Sequence, residues 1–400
     1  MRRLGSFTVS LLGLGLLVAC QERLSSPAEC PQLCPGTSLV VFDTVITATA
    51  GLDSSFTGYV GADQAPALLV SDGISAGEAR AFATFPRRSD SVSIAGILTP
   101  VSVDSVALTT QLLARDSTVT GLKIFYYRVT PDLDSTVTLA ALDAMMTPDN
   151  LIDSLLVSDT LRRGPLRLIV KRDDLGRLAG SDADSGRFGL GIRIKAPQPT
   201  GVRLGSILSV QGGPVLIGYG SVVTLDTAQQ HQTLTTTADK SNYVIEPPAI
   251  SPDGLVVGGK LGTRIILRFD IPRRIRDSAT VLRATLELTP VGPIPGLRND
   301  PIALQVRGVL VDLGAKSPAL STLVSSGTLL ADSTDVQLVE VFSIVSAWFT
   351  PGSKAPTTLL MAVVPEGGSF GRPEFVSTAD PVNGPRLRIT YALPSRPGHP

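Results

Sequence analysis

The chain is 400 residues long, and 43% of its residues are hydrophobic while 18% are charged. It carries 35 basic and 35 acidic residues, so its formal net charge at pH 7 is zero. This composition excludes a largely disordered chain, because enough apolar side chains are present to form hydrophobic cores. It also provides no basic field that would attract nucleic acid, so no nucleic-acid partner is expected.

Residues 1–19 predict a secretory signal peptide. Arg2 and Arg3 precede an apolar run that ends at Ala19. The core of this run is too short to cross a bilayer as a mature helix. Directly after Ala19 stands Cys20, and a small residue immediately before a cysteine resembles the lipobox of bacterial lipoproteins.

This resemblance implies that Cys20 is acylated and becomes the first residue of the mature protein. Several acyl chains on one residue give lasting membrane attachment. Gln21 follows, and a residue other than aspartate at this position implies the outer membrane of a Gram-negative bacterium. We therefore expect a lipid-anchored cell-envelope protein. The alternative is an ordinary cleaved signal peptide with an accidental cysteine.

Residues 20–36 predict a lipidated tether without a periodic pattern. Cys30 and Cys34 lie in this segment, and an oxidising envelope favours a small local disulfide between them. A redox Cys-x-x-Cys motif needs two intervening residues, whereas three are present here. The sequence leaves open whether the two cysteines are bonded to each other.

From residue 37 onward the sequence predicts short β-strands, with β-branched residues in alternation and Gly, Pro, Asp or Ser between them. Helical periodicity is confined to residues 150–161 and 340–349. Many short strands with regular turn signals are typical of an all-β sandwich or barrel.

The chain also repeats its own pattern. An ordered series of blocks starts at residues 58–60 and again at residues 242–244, and both halves close on a Gly-Pro block. We predict two tandem, jelly-roll-like antiparallel β-sandwich domains, residues 37–221 and 222–394, followed by a tail of residues 395–400.

The second copy carries a set of blocks in a characteristic order. They are residues 263–272, 279–288, 345–348, 375–378 and 384–391. This order resembles the bacterial cell-surface modules called DNRLRE domains, with the first copy as a diverged version. The resemblance implies jelly-roll β-sandwiches, and it implies carbohydrate binding, because some relatives bind acidic polysaccharides.

Candidate ligand contacts are aromatic rings and paired arginines. Tyr126 and Tyr127 place one ring on each face of a predicted strand, so one ring is expected to be exposed. The arginine pairs stand in turns or at strand ends, where they could touch an anionic polymer or be solvated. The pairs are Arg87-Arg88, Arg162-Arg163 and Arg273-Arg274.

Two loops carry weaker candidates. Asp182 and Asp184 could offer oxygens to calcium, the one candidate cofactor, although their segment is first of all a predicted hairpin loop. Ser75 stands in a Gly-x-Ser-x-Gly pattern, which would serve an esterase only with a following helix and a histidine base. His231 is the sole plausible base, and a strand is predicted after the serine, so a glycine-rich hairpin is expected there.

The sequence therefore favours a non-catalytic envelope lipoprotein whose tandem sandwiches bind polysaccharide or another envelope protein. The first alternative is a purely structural spacer or stalk. A remote alternative is an esterase that uses Ser75.

Overall fold

The computed structural model describes residues 40–223 and 229–393. Strands account for 48% of the residues and helices for 9%, and the strands form antiparallel sheets. The prediction of an all-β sandwich fold is confirmed. The predicted signal peptide, the tether with Cys20, Cys30 and Cys34, and the tail lie outside the described residues.

The elements are numbered in chain order. Strands β1 to β8 are Val41–Thr47, Ser54–Phe56, Ala67–Asp72, Glu78–Phe85, Ser91–Ile94, Ile97–Pro100, Ser102–Arg115 and Lys123–Val129. Strands β9 to β16 are Leu151–Leu156, Gly164–Lys171, Phe188–Lys195, Thr200–Gly205, Val215–Val223, Gln229–Thr237, Lys240–Glu246 and Gly254–Val256. Strands β17 to β24 are Arg264–Arg268, Thr280–Leu288, Ile302–Val309, Ala319–Leu329, Gln337–Glu340, Thr358–Val364, Glu374–Val376 and Arg386–Ala392. Helices α1 to α3 are Leu139–Met145, Arg273–Arg276 and Phe342–Trp348, and 3₁₀ helices cover Pro148–Asn150, Arg172–Leu178 and Gly314–Lys316.

The two halves of the chain share one strand topology. In the first half β7 lies between β10 and β13, and β11 lies between β4 and β8. In the second half β18 lies between β21 and β24, and β22 lies between β17 and β19. Equivalent minor pairs are β3 with β12 and β16 with β23. In the first half the 3₁₀ helix Arg172–Leu178 follows β10. In the second half helix α3 follows β21, the strand equivalent to β10.

The strands that lead each half are exchanged between the halves. β1 and β2, at the start of the chain, pair with β24 and β17 of the second half. β14 and β15, which precede the second half, pair instead with β13 and β4 of the first. Each half therefore completes its sheets with strands that belong, by chain order, to the other half. The division into domains at residues 221 and 222 stays a prediction.

We call the set β3–β15 the N-terminal unit, and β1, β2 and β16–β24 the C-terminal unit. Each unit has a large hydrophobic core. Leu297 and Phe370 from the second half contribute to the core of the N-terminal unit, and Ala48 contributes to that of the C-terminal unit. Side chains of the C-terminal unit thus contribute to the core of the N-terminal unit, while no sheet of the described residues is shared between the units.

Alternation along the strands explains most of the burial. Ile265 and Leu267 of β17 face the C-terminal core, as the sequence predicts. Strict alternation along the sequence predicts one apolar face of β18 made of Leu282, Ala284, Leu286 and Leu288, and this prediction is wrong at its first member. A register shift between Val281 and Arg283 reverses the alternation, so Leu282 is 46% exposed.

The two predicted helices have different outcomes. Helix α3 lies within the predicted residues 340–349, and its Trp348 is buried in the core. The helix predicted at residues 150–161 is wrong, because Leu151–Leu156 form strand β9. Antiparallel pairing of β9 with β8 outweighs the local helical pattern in this segment.

Candidate functional site: a cleft between the two units

A cleft of about 280 Å³ opens where β15 meets two loops of the C-terminal unit. We call it the junction cleft. Strand β15 supplies Tyr243 and Ile245, and the loops supply residues 258–263 and 369–372. Because β15 is one of the exchanged strands, the cleft exists only in the folded arrangement of both units.

Glycines allow the first loop to adopt its path. Gly258, Gly259 and Gly262 all have positive φ angles, which side chains other than glycine rarely adopt. A Cβ atom on Gly258 would lie 2.5 Å from the carbonyl oxygen of Gly371. The tight approach of the two loops places the side chains of Lys260 and Arg372 at the same cleft.

Lys260 and Arg372 are the cations of the junction cleft, and both are partly buried. The ammonium group of Lys260 lies 5.4 Å from the centre of the Tyr243 ring, a cation–π contact. Arg372 Nη1 donates to the carbonyl oxygen of Pro248 at 3.1 Å. Among the described residues, neither cation has a carboxylate within ion-pair distance.

Burial affects the titration of both groups. Desolvation lowers the pKa of Lys260. Desolvation also lowers the pKa of Arg372, while the charge of Glu374 acts in the opposite direction. A bound anion would offset the desolvation cost of these two partly buried cations.

The acids close to the cleft are engaged elsewhere. Glu366 receives hydrogen bonds from Arg264 Nε at 2.7 Å and Nη2 at 2.8 Å. The same guanidinium lies 3.9 Å from the centre of the Tyr59 ring. Glu374 accepts a hydrogen bond from the backbone N–H of Ser251 at 2.8 Å. These contacts leave the two cleft cations available to a ligand.

The floor of the cleft is apolar. Leu69, Ala76 and Phe370 line it and are buried. The Tyr243 hydroxyl donates to the carbonyl oxygen of Gly367 at 2.7 Å, and burial raises its pKa. The arrangement offers positive charge above an apolar surface, which suits binding of a small anionic group.

The tyrosines predicted to contact ligand lie elsewhere. Tyr126 is fully buried, its hydroxyl lies 3.0 Å from Thr110 Oγ1, and burial raises its pKa to about 12. Tyr127 is 9% exposed and packs with Leu142 and Met146. The expectation that one ring is exposed is therefore wrong, because β8 lies inside its sheet and helix α1 covers its second face.

Two of the three predicted arginine pairs are exposed, whereas Arg88 of the third is partly buried. Arg162 and Arg163 are exposed in the loop between β9 and β10. Arg273 and Arg274 are exposed on helix α2. None of these four side chains lines the junction cleft.

The predicted calcium loop contains Asp182 and Asp184 and joins the 3₁₀ helix Arg172–Leu178 to β11. Asp182 is exposed, and the Asp184 carboxylate accepts a hydrogen bond from the Ser181 hydroxyl. Within residues 40–223 and 229–393, no cluster of three His, Cys, Asp or Glu side chains has metal-binding geometry. Calcium binding stays a prediction that rests on these two carboxylates.

The serine of the Gly-x-Ser-x-Gly pattern lies in the hairpin loop between β3 and β4. Ser75 is exposed there, and strand β4 follows the loop. The strands β13, β7 and β12 lie between β3 and β14, the strand that carries His231. The fold thus separates this serine from the histidine that an esterase would need.

Comparison with known proteins adds no relative. No family model matches the chain, and no match is found among curated proteins. In the part of the chain that the structure describes, no helix has the length and apolar character needed to cross a membrane.

Sequence reasoning overlooked Lys260 and Arg372. The glycines around Lys260 are visible in the sequence, and an isolated lysine within them was an available signal. Arg372 had no local signal, because its position in the cleft depends on the contact between two distant loops.

Proposed function

We propose that the protein is a non-catalytic, lipid-anchored envelope protein that binds an acidic polysaccharide through the junction cleft. The observation that carries this proposal is the pair of partly buried cations, Lys260 and Arg372, neither of which has a carboxylate within ion-pair distance among the described residues. The lipobox-like sequence before Cys20 supports the envelope location and the membrane anchor.

The shape of the cleft suits one acidic sugar unit. Its volume of about 280 Å³ is near the lower limit of about 300 Å³ for ligand pockets. A carboxylate can accept hydrogen bonds from the free guanidinium N–H groups of Arg372 and from Lys260. The apolar floor at Leu69 and Phe370 can contact the C–H face of a sugar ring, while the rest of the polymer extends outside.

The test uses the mature chain from Gln21 without lipid, in affinity electrophoresis against acidic and neutral polysaccharides. We expect retardation by a uronic-acid polymer and none by neutral polymers. Lys260→Gln and Arg372→Gln each remove one charge-assisted contact, so each should weaken binding about tenfold. The matched control is Lys354→Gln, because Lys354 is exposed in a loop and does not line the cleft.

Retardation that is equal in Lys260→Gln, Arg372→Gln and the wild-type protein would contradict binding at the junction cleft. Hydrolase or lyase activity that is lost on a single substitution would contradict the non-catalytic assignment. Either result is independent of the membrane anchor, since the tested chain begins after Cys20.

A purely structural spacer is the second candidate, and the exchange of β1–β2 and β14–β15 favours it. Because of this exchange the chain crosses between the units twice, after β2 and after β15, and two covalent connections resist their separation. A lack of retardation by every polymer, with one dominant protein recovered by cross-linking from envelope extracts, would support the spacer.

A further inference from the structure

The two units carry the same Pro-Arg-Arg sequence at equivalent positions. In the N-terminal unit Pro86-Arg87-Arg88 directly follows β4. In the C-terminal unit Pro272-Arg273-Arg274 follows the equivalent strand β17 after a short extension. The surroundings of these two segments differ, and the difference indicates a ligand site.

In the C-terminal unit the space beside this segment is filled. Ile275 is buried in the core. Arg276 donates from Nε to the carbonyl oxygen of Trp348 at 3.4 Å, and from Nη2 to those of Ser353 and Ala355 at 3.2 and 3.3 Å. The guanidinium therefore satisfies backbone groups at and beyond the end of helix α3.

In the N-terminal unit the corresponding region is a cavity of about 540 Å³. It is bounded by the end of β4, the start of β7 and the loop after the 3₁₀ helix Arg172–Leu178. Arg88 lines it, and its Nη1 atom is buried without a hydrogen-bond partner among the described residues. Desolvation lowers the pKa of this guanidinium.

An unpaired buried donor is costly. Such a group has lost its hydrogen bonds to water without gaining a partner in the protein. In the second unit Arg276, two residues beyond the Pro-Arg-Arg segment, finds three carbonyl oxygens, whereas Arg88 of the first unit lines a cavity and its Nη1 atom has no such partner among the described residues. A ligand with acceptor oxygens would satisfy Arg88.

The other polar groups at the cavity define the ligand further. Arg87 and Asp90 are both exposed, and their charged groups lie 3.8 Å apart, so they largely offset each other. Asp182 and Ser185 also line the cavity and can bind hydroxyl groups. The buried side chains of Phe188 and Leu216 form an apolar wall.

We propose that this cavity, the Arg88 cavity, is a second ligand site that binds a small carboxylate carrying hydroxyl groups, such as a sugar acid. The planar guanidinium of Arg88 matches a carboxylate with two parallel hydrogen bonds. The hydroxyl groups of the ligand meet Asp182 and Ser185. This site shares no lining residue with the junction cleft, so the proposal does not depend on the function assigned to that cleft.

Isothermal titration calorimetry of the mature chain from Gln21 tests this site. The probes are D-glucuronate, D-glucose as the neutral analogue and inorganic sulfate as a bare oxyanion. To weaken any binding at the junction cleft, all titrations are carried out in the Lys260→Gln background. We expect binding of glucuronate, and weaker binding of both glucose and sulfate. A polymeric uronic acid forms a further arm, which shows whether the site takes a free acid or a unit within a chain.

Two variants decide the role of the arginine. Arg88→Gln should weaken glucuronate binding about tenfold, and Arg88→Lys should weaken it less, because charge is kept but the two-point contact is lost. The matched control is Arg274→Gln, in the second Pro-Arg-Arg segment, and it should leave the affinity unchanged.

Unchanged glucuronate affinity in Arg88→Gln would overturn the proposal. If that variant does not fold, unchanged affinity in Arg88→Lys would overturn it equally. Equal binding of sulfate or glucose would overturn the assignment to a hydroxylated carboxylate. Loss of glucuronate binding in Arg88→Gln supports the Arg88 cavity as the site. The junction cleft is then tested separately with Arg372→Gln.

Discussion

Among the described residues of the C-terminal unit, the Asp312 carboxylate accepts the most hydrogen bonds. It accepts hydrogen bonds from Arg268 at 2.5 and 2.7 Å, from the Thr358 hydroxyl at 3.1 Å and from the Gly314 N–H at 3.2 Å. The hydrogen bonds from Arg268 are the main cause that lowers its pKa from 3.8 to about 2. The carboxylate thus stays charged in acid that would protonate it in the unfolded chain.

This contact predicts a pH dependence of stability. Because the pKa is lower in the folded state, the stabilisation is complete above pH 3.8 and is lost as the pH falls toward about 2. Asp312→Asn should reduce the free energy of unfolding by roughly 1–3 kcal/mol at neutral pH, and by less at pH 2. Urea unfolding between pH 5 and 2 measures both effects. The control is Asp253→Asn, because Asp253 is exposed in a loop. This substitution should leave the pH dependence of the free energy of unfolding unchanged.

Exchange of the leading strands matters at the scale of elements. Removal of β14 and β15 leaves one edge of β13 and one edge of β4 unpaired and removes Tyr243 from the N-terminal core. Exposed sheet edges promote aggregation. A fragment that contains the N-terminal unit keeps its sheets complete only if it begins after β2 and ends after β15.

We therefore predict that a fragment of residues 61–246 folds better than one of residues 37–221. The first contains every strand of the N-terminal unit, whereas the second lacks β14 and β15 and carries unpaired β1 and β2. Size-exclusion chromatography and thermal unfolding by circular dichroism compare the two. Equally sharp unfolding of the fragment of residues 37–221 would contradict the pairing of β14 with β13 and of β15 with β4.

At the scale of the whole molecule, polar contacts couple the two units, and the chain crosses between the units after β2 and after β15. Arg203 of β12 forms two hydrogen bonds with the Asp300 carboxylate, at 2.9 and 2.8 Å, and Asp300 is buried. Asn299 Nδ2 donates to Ser117 Oγ at 3.3 Å. Phe370 packs into the core of the N-terminal unit. These contacts favour cooperative unfolding of both units together.

A substitution in one unit should therefore destabilise the other. Leu108→Ala in the N-terminal core should cost about 2–5 kcal/mol. Trp348, the single tryptophan of the chain, lies in the C-terminal core and reports on that unit. We expect the urea midpoint from tryptophan fluorescence to fall with the midpoint from circular dichroism. An unchanged fluorescence midpoint, with a second transition in circular dichroism, would show that the units unfold independently.

By itself, the sequence determined the β class, the repeated order of strands, the position of helix α3 and the glycine-rich hairpin at Ser75. All of these follow from local patterns: alternation, turn residues and the spacing of similar blocks. Tertiary structure decided the burial of Tyr126 and Tyr127, since a strand pattern shows that two faces exist but not which of them is covered.

The exchange of strands and both proposed sites also required the tertiary structure. Because the two halves have the same strand order, β1 and β14 face equivalent partner strands in either half, and local pattern does not distinguish the two pairings. Lys260 and Arg372 meet only where two loops converge, and the Nη1 atom of Arg88 loses its hydrogen bonds to water only once the surrounding loops are packed. Long-range packing, which single-sequence patterns do not encode, decides each of these features.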